Sequence, residues 1–253
     1  MTSRGIRSIP ALMAIASMSV WAEDRTVRIS NPPNEQGFQQ LATVVRTVGQ
    51  IRNVAVDPSK ATFTFEGDPG ELATCEWLLR SMDKPRGWTP SVQDVSNPAS
   101  REFRPASGGD DLIRIWYLRS AGSPRDVQEI LTILRTVADV RMVMNFGPEL
   151  GLALRGNAAT MDMADWLLSK IDVSAGEGPG EVYIGKGAPE DMAQVLYLNP
   201  ARTPQELQNL IGTVRTTGHV NKVFSRTSPP MIAVRGTPAV LATTRQTVAS
   251  LGN

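Results

Sequence analysis

Between Leu112 and Ile171 the spacing of apolar residues changes period in a fixed order. Ile113, Ile115 and Tyr117 alternate with Leu112, Trp116 and Leu118, which predicts a strand covered on both faces. Val127, Ile130, Leu131 and Leu134 then fall three or four apart and share one face of a helix that Ser123-Pro124 caps and starts. Strands are predicted at about Val140–Asn145 and Leu150–Arg155. Gly156-Asn157 turns into a last helix with Met161, Ala164, Leu168 and Ile171 inward. The order is strand, helix, strand, strand, helix.

The same order occurs on each side. The earlier copy has a strand from Thr26, a helix capped by Asn34 with Phe38, Leu41 and Val45 on one face, and strands at Ile51–Val56 and Ala61–Glu66. Its second helix opens at Asp68-Pro69, where Glu71 completes a capping box and Leu72, Cys75, Leu79 and Met82 face inward. The later copy opens with Ala193–Leu198 and caps its first helix with Thr203-Pro204 and Glu206. Leu207, Leu210, Ile211 and Val214 form the apolar stripe, and Leu241, Val248 and Leu251 are expected inward on the last helix. Adding 89 to the first copy gives the second, and adding 80 to the second gives the third, without a gap from Leu41 to Asp83. Constant offsets of caps, stripes and turns identify one duplicated unit. The predicted class is α+β, with βαββα repeats at 26–83, 112–172 and 193–253, a proline-rich linker at 84–111 and a glycine-rich linker at 173–192. Arg101–Arg104 is a candidate short edge strand within the first linker.

Composition changes this picture in three ways. Residues 1–22 carry Arg4 and Arg7, an apolar run from Ile9 to Val20 and a small residue at Ala22, which is the pattern of a cleaved signal peptide. The uncharged stretch Ser8–Ala22 is shorter than the roughly 20 residues a spanning helix needs, so no integral span is expected after cleavage and the location is expected to be periplasmic or secreted. Losing Arg4 and Arg7 takes the formal net charge from +1 to −1, and that balance offers no footprint for nucleic acid. A single cysteine, Cys75, excludes an intrachain disulfide framework.

Three small βαββα units behind a signal peptide resemble the periplasmic N-domains of bacterial secretins, the outer-membrane channels of type II secretion and type IV pilus systems. The segments that carry the resemblance are Leu207–Val220 followed by Met231–Pro238, and likewise Leu150–Gly156. It implies a small three-stranded sheet with two helices on one face in each unit, related in outline to KH domains. It also implies units that stack laterally or bind neighbouring subunits. The C-terminal channel domain of a secretin is not expected, because no long alternating strands remain before Asn253.

Chemical motifs weaken against the repeat register. Gly180–Gly187 approaches a phosphate-binding loop, but Gly187 stands where Ser or Thr should reach the metal and Ala188-Pro189 follows where a helix should begin. Gly67–Gly70 fits the clamp loop of RNA-binding KH domains by letter, yet Asp68 puts an acid where phosphate would sit. Cys75 aligns with Ala164 and Thr244, small positions on an inner helix face, which marks a packing thiol. His219 aligns with Gln50 and Asp139 in a turn. One histidine and one cysteine assemble no usual zinc or Cys/His catalytic set, and no catalytic residue, metal or cofactor is expected. Arg46, Arg135 and Arg215 recur in the last turn of a helix, where a cation offsets the helix dipole.

Trp77 and Trp166 are the candidate interface residues. Their helical phase turns them partly outward, and the third copy has Gln246 in their place. They either pack against a linker or neighbouring copy or anchor a partner. The reading is a non-catalytic envelope scaffold that works by protein contact or self-association, beside a secretion or pilus apparatus. A soluble ligand-binding protein with a groove between units is the alternative.

Overall fold

The structure is a computed structural model and describes residues 23–85, 87–89, 101–106, 109–147, 150–174, 179–186, 188–198 and 203–251. The leader read at 1–22 lies outside them. Unit 1 comprises β1 (Glu23–Arg28), α1 (Glu35–Val48), β2 (Asn53–Asp57), β3 (Thr62–Gly67) and α2 (Pro69–Met82). Unit 2 comprises β4 (Glu102–Phe103), β5 (Asp111–Tyr117), α3 (Pro124–Thr136), β6 (Met142–Phe146), β7 (Gly151–Asn157) and α4 (Ala158–Ile171). Unit 3 comprises β8 (Pro179–Gly185), β9 (Ala188–Tyr197), α5 (Pro204–Gly218), β10 (Val223–Thr227), β11 (Pro230–Gly236) and α6 (Pro238–Leu251). All three sheets are antiparallel, in the orders β1-β3-β2, β4-β5-β7-β6 and β10-β11-β9-β8.

The βαββα order is the expected one, but units 2 and 3 each gain a fourth strand from the segment read as a linker. In unit 2 this is the short edge strand β4, within Arg101–Arg104. In unit 3 the whole of β8 and the start of β9 fall inside 173–192. The glycines there hid Val182, Tyr183 and Ile184, residue types that suit a pleated, half-buried surface. Gly180–Gly185 thus lies in a strand of a hairpin, where no helix follows to receive a phosphate.

Helix starts follow the side chains at their N-caps. Asn34, Asp68, Ser123, Asn157 and Thr203 each accept a backbone N–H from the first turn, and Asp68 and Thr203 form full capping boxes with Glu71 and Glu206. Each satisfies a donor that the helix itself cannot, worth about 1 kcal/mol. Gln50, Asp139 and His219 occupy one register position at the end of the first helix, with φ of 59°, 59° and 50°. Arg46, Arg135 and Arg215 do more than face the helix dipole. Each donates from Nη2 to the carbonyl of the residue eight positions on, Val54, Val143 and Val223, at 2.9, 2.9 and 3.2 Å, tying the first helix to the following strand.

The units stack so that sheets and helix pairs alternate. In β5, Leu112 and Trp116 belong to the core of unit 2, whereas Ile113, Ile115 and Tyr117 join the core that holds α1, α2, Phe63 and Phe65 of unit 1. Both faces of the strand are therefore covered, and one residue's shift in register would exchange the two sets. Ala193, Val195, Met231 and Ala233 of unit 3 join the core of unit 2 in the same way. A 60-residue unit buries only about 60% of its unfolded surface, and stacking adds apolar contact that one unit alone lacks.

Leu251 departs from its expected place: it is 47% exposed. Its equivalents Met82 and Ile171 are buried in the cores that run on into the next unit, and among the described residues no further unit covers Leu251. Cys75 is fully buried, and burial pushes its thiol up to about 12. At pH 8 the native protein should not react with a thiol reagent, while the urea-unfolded chain should react once; rapid labelling of the native form would show that the inner face of α2 opens.

Candidate functional site

The two junctions between units are built from the same side chains. From the outer face of sheet 2, Arg155 on β7 donates from Nη1 to the Val48 carbonyl at the end of α1, at 3.1 Å, and Tyr117 on β5 donates its hydroxyl to the Ser81 carbonyl near the end of α2, at 2.8 Å. From sheet 3, Arg235 reaches the Val137 carbonyl at the end of α3, at 3.1 Å, and Tyr197 reaches the Lys170 carbonyl in α4, at 2.9 Å. Each sheet thus grips the C-terminal carbonyls of both helices beneath it. Those carbonyls lack intrahelical partners and carry the negative end of the helix dipole, so a buried guanidinium and a phenol are suitable donors.

The arginines are themselves held. Arg155 is 5% exposed and its Nε lies 3.0 Å from Asp111; Arg235 lies 2.7 Å from Asp191 through Nε and also meets Asp139 at 2.9 Å. The Arg235 hydrogen bonds raise its pKa and lower that of Asp191. Lys222 adds a second contact to Asp139, at 2.5 Å. The corresponding contact at the first junction is Gln50 Nε2 to Met142 Sδ, at 3.2 Å.

Trp77 and Trp166 lie at these junctions and are half-buried. Trp77 stacks on Phe103 of β4 at 5.3 Å between centroids, and Trp166 packs on Tyr183 of β8 at 5.5 Å. Each indole meets the strand that the preceding linker adds to the next unit. Gln246 in the third copy has no such strand above it among the described residues. Sequence reasoning singled out the indoles but missed the Arg and Tyr donors. Their signal was present: Tyr117/Tyr197, Arg155/Arg235 and Asp111/Asp191 recur at the offset of 80, whereas unit 1 has Arg28, Glu66 and Ala22 at these places.

The terminal surfaces explain that difference. The outer face of sheet 1 presents Asp24, Thr26, Arg28, Thr64 and Glu66 at the places where sheet 2 presents apolar residues, Tyr117 and Arg155. On α5, exposed Thr213 and Thr217 replace Val44 and Val48 of α1 and Ile133 and Val137 of unit 2, all fully buried. Polar end surfaces suit units with no neighbour.

A second conserved position within the repeat joins the first strand to the second helix. It is Arg25–Glu76 in unit 1, Arg114–Asp165 in unit 2 and Gln194–Arg245 in unit 3. Arg114 also holds Glu102 of β4 through Nε at 2.8 Å. Burial pushes the Asp165 carboxyl up to about 6, with Arg114 opposing the rise.

A cleft of about 1010 Å³ lies at the first junction. Ile29, Leu41, Met82, Phe146, Pro32 and Pro33 supply apolar wall, with Asn31, Gln40 and Asp83 among the polar groups. Asp83 itself accepts the Ser30 and Asn31 backbone N–H groups at 2.6 and 2.9 Å. His219 is exposed at its helix end. Among the described residues no group of three or more His, Cys, Asp or Glu is placed to hold a metal ion, and no helix is long and apolar enough to cross a membrane.

No protein-family model matches the chain, and no curated protein matches it. Solved structures give distant likenesses. The N-terminal domain of the secretin XcpQ from Pseudomonas aeruginosa is 12% identical, with 91% of this chain and 100% of that one covered and a TM-score of 0.28. Aeromonas hydrophila ExeD is 14% identical over 92% of this chain and 41% of its own, with a TM-score of 0.22. Dim2p from Pyrococcus horikoshii is 13% identical over 61% and 93%, with a TM-score of 0.32.

Two outcomes test this geometry. Arg155→Met and Arg235→Met should each lower stability to urea by about 1.5–3 kcal/mol, the range for a hydrogen bond from a charged group. Glu66→Gln, at the equivalent exposed place in unit 1, should change it by less than about 0.5 kcal/mol. For Asp165, the raised folded-state pKa means that its protonation favours the fold below its ordinary value of 3.8, and this contribution is lost as pH rises through about 6. Asp165→Asn should remove on the order of 3 kcal/mol of pH dependence between pH 4 and 7, measured by urea unfolding at both ends of the window.

Proposed function

We propose that this protein is a non-catalytic scaffold of the bacterial envelope that acts by protein contact, beside a secretin-containing secretion or pilus system. The observation that carries the reading is the junction itself, in which an Arg and a Tyr on a sheet face grip two helix ends. It is built twice from one duplicated surface, so the fold's repeated specialisation is to dock one protein surface on another. Export rests on the leader at 1–22, and the link to secretins rests on the sequence resemblance of the βαββα units.

The self-association that such a scaffold uses is lateral. Its end surfaces carry Asp24, Thr26 and Glu66 at one end and Thr213 and Thr217 at the other, which do not reproduce the apolar junction. A second reading, a ligand-binding protein with a groove between units, is favoured by the cleft at the first junction. Cross-linking in intact cells, followed by identification of the attached protein, distinguishes the two. The scaffold reading expects an envelope protein or a second copy in the cross-linked band. Recovery of the free monomer alone, with thermal stabilisation by a small solute such as an envelope glycan fragment, would favour the groove.

A further inference from the structure

The three units differ at one edge of their sheets. Counted from the added strand, sheets 2 and 3 run β4-β5-β7-β6 and β8-β9-β11-β10, whereas sheet 1 runs β1-β3-β2 and ends at β1. β1 corresponds to β5 and β9, so the edge that β4 and β8 cover in the other units is open in unit 1 among the described residues. A cleft of about 380 Å³ lies beside it, between β1 and α2. The Arg25 side chain there is 42% exposed, whereas that of its equivalent Arg114, beside β4, is 10% exposed.

The covering strands share one register. Both run antiparallel to the first strand of their unit, with Glu102 opposite Arg114 and Val182 opposite Gln194, each 12 residues before its partner. Glu102 accepts from Arg114 Nε at 2.8 Å. Arg25 holds the same register place, and 12 residues before it stands Met13; residues 1–22 contain no Asp or Glu, so the chain's own preceding segment has no carboxylate to offer. With the sheet faces aligned, a second copy's β1 could bring Glu23 opposite Arg25 only by setting the two Asp24 residues against each other.

The cleft is also more basic than the same place in the other units. Exposed Arg28 and Arg80 line it where those units have Tyr117 and Tyr197, and Ser169 and Ala249. Its acids already have partners: Glu76 accepts from Arg25 at 3.2 Å and from Arg80 at 2.5 Å, and Asp83 accepts the Ser30 and Asn31 N–H groups. Charges on an edge strand discourage unselective pairing. Here the arginines leave one kind of strand favoured, one that brings a carboxylate to the place Glu102 takes in unit 2.

We propose that the open edge of β1 receives an extended acidic segment of a partner protein, paired antiparallel with a carboxylate opposite Arg25. This deepens the scaffold reading and rests on it for the occupant being a protein. Main-chain hydrogen bonds along the edge supply the attraction, and the arginines select the sequence and its register. A short peptide that must be ordered on binding should bind weakly, in the sub-millimolar range.

The test is amide shift mapping by NMR on the full chain, titrated with the blocked peptide Asp-Val-Thr-Glu-Thr-Lys, which sets its Glu opposite Arg25, its Asp opposite Arg28 and its Lys opposite Glu23. Two controls replace the Glu by Lys, or the Thr before it by Pro, which removes a backbone donor. The parent peptide should shift the amides of Arg25–Arg28 with a saturating curve, and each control should bind about fivefold more weakly. Arg25→Glu should reverse the order of the Glu and Lys peptides. Arg28→Gln, at an exposed place, should weaken the parent peptide about twofold and keeps the test alive if Arg25→Glu loosens α2. No binding, equal binding of the three peptides, or shifts confined to other surfaces would overturn the edge site. A dimer of this chain joined through β1, seen by sedimentation, would make the occupant a second copy and overturn the acidic partner. If the peptide fails while cross-linking still recovers a protein partner, the scaffold reading stands without this site; if cross-linking recovers the free monomer alone, the scaffold reading falls whatever the peptide does.

Discussion

The stack depends on hydrogen bonds from one unit's sheet to the helix ends of the unit beneath. A helix leaves its last carbonyls without partners, and a carbonyl buried under another domain without a donor costs about 1–3 kcal/mol. Arg155 with Tyr117, and Arg235 with Tyr197, supply those donors. Apolar residues on the same sheet faces can then be buried against the helices. The clamp therefore permits the alternation of sheets and helix pairs, and the alternation gives small units a shared core.

The same constraint accounts for residues that differ between copies. Sheet 1 has no unit beneath it among the described residues, and its outer face is polar. The helices of unit 3 lie at the opposite end, where Thr213, Thr217 and Gln246 take places held by valine or isoleucine and by tryptophan in units 1 and 2. Trp77 and Trp166 mark the inner positions because a linker strand passes over each of them. Variation among the copies follows position in the stack, and the chemistry at each position follows from what lies above or below it.

Much of this was legible in the sequence. Constant offsets gave the repeated βαββα order, the helix caps and the inward stripes, and the double alternation of Leu112–Leu118 correctly implied cover on both faces. Two kinds of feature were not legible. Strand β8 was masked by glycines, because composition over 173–192 outweighed the short run of Val182, Tyr183 and Ile184. The clamps were missed because a register comparison favours features common to all three copies, whereas Arg and Tyr at a junction occur only where a unit has one beneath it. Leu251 failed for the same reason: helical phase places it inward, but its burial in the equivalent positions depends on the neighbouring unit. The outward phase of Trp77 and Trp166 was readable, yet what they touch depends on linker strands that the helices' own sequences do not specify.

Residue-resolved hydrogen exchange across a urea series tests most directly whether the junctions make the three units one cooperative body. The stacked account predicts that slow amides in β3, β7 and β11, one central strand from each unit, share a single opening free energy and urea dependence. Three separate sets, each with the small urea dependence of a lone 60-residue unit, would contradict it.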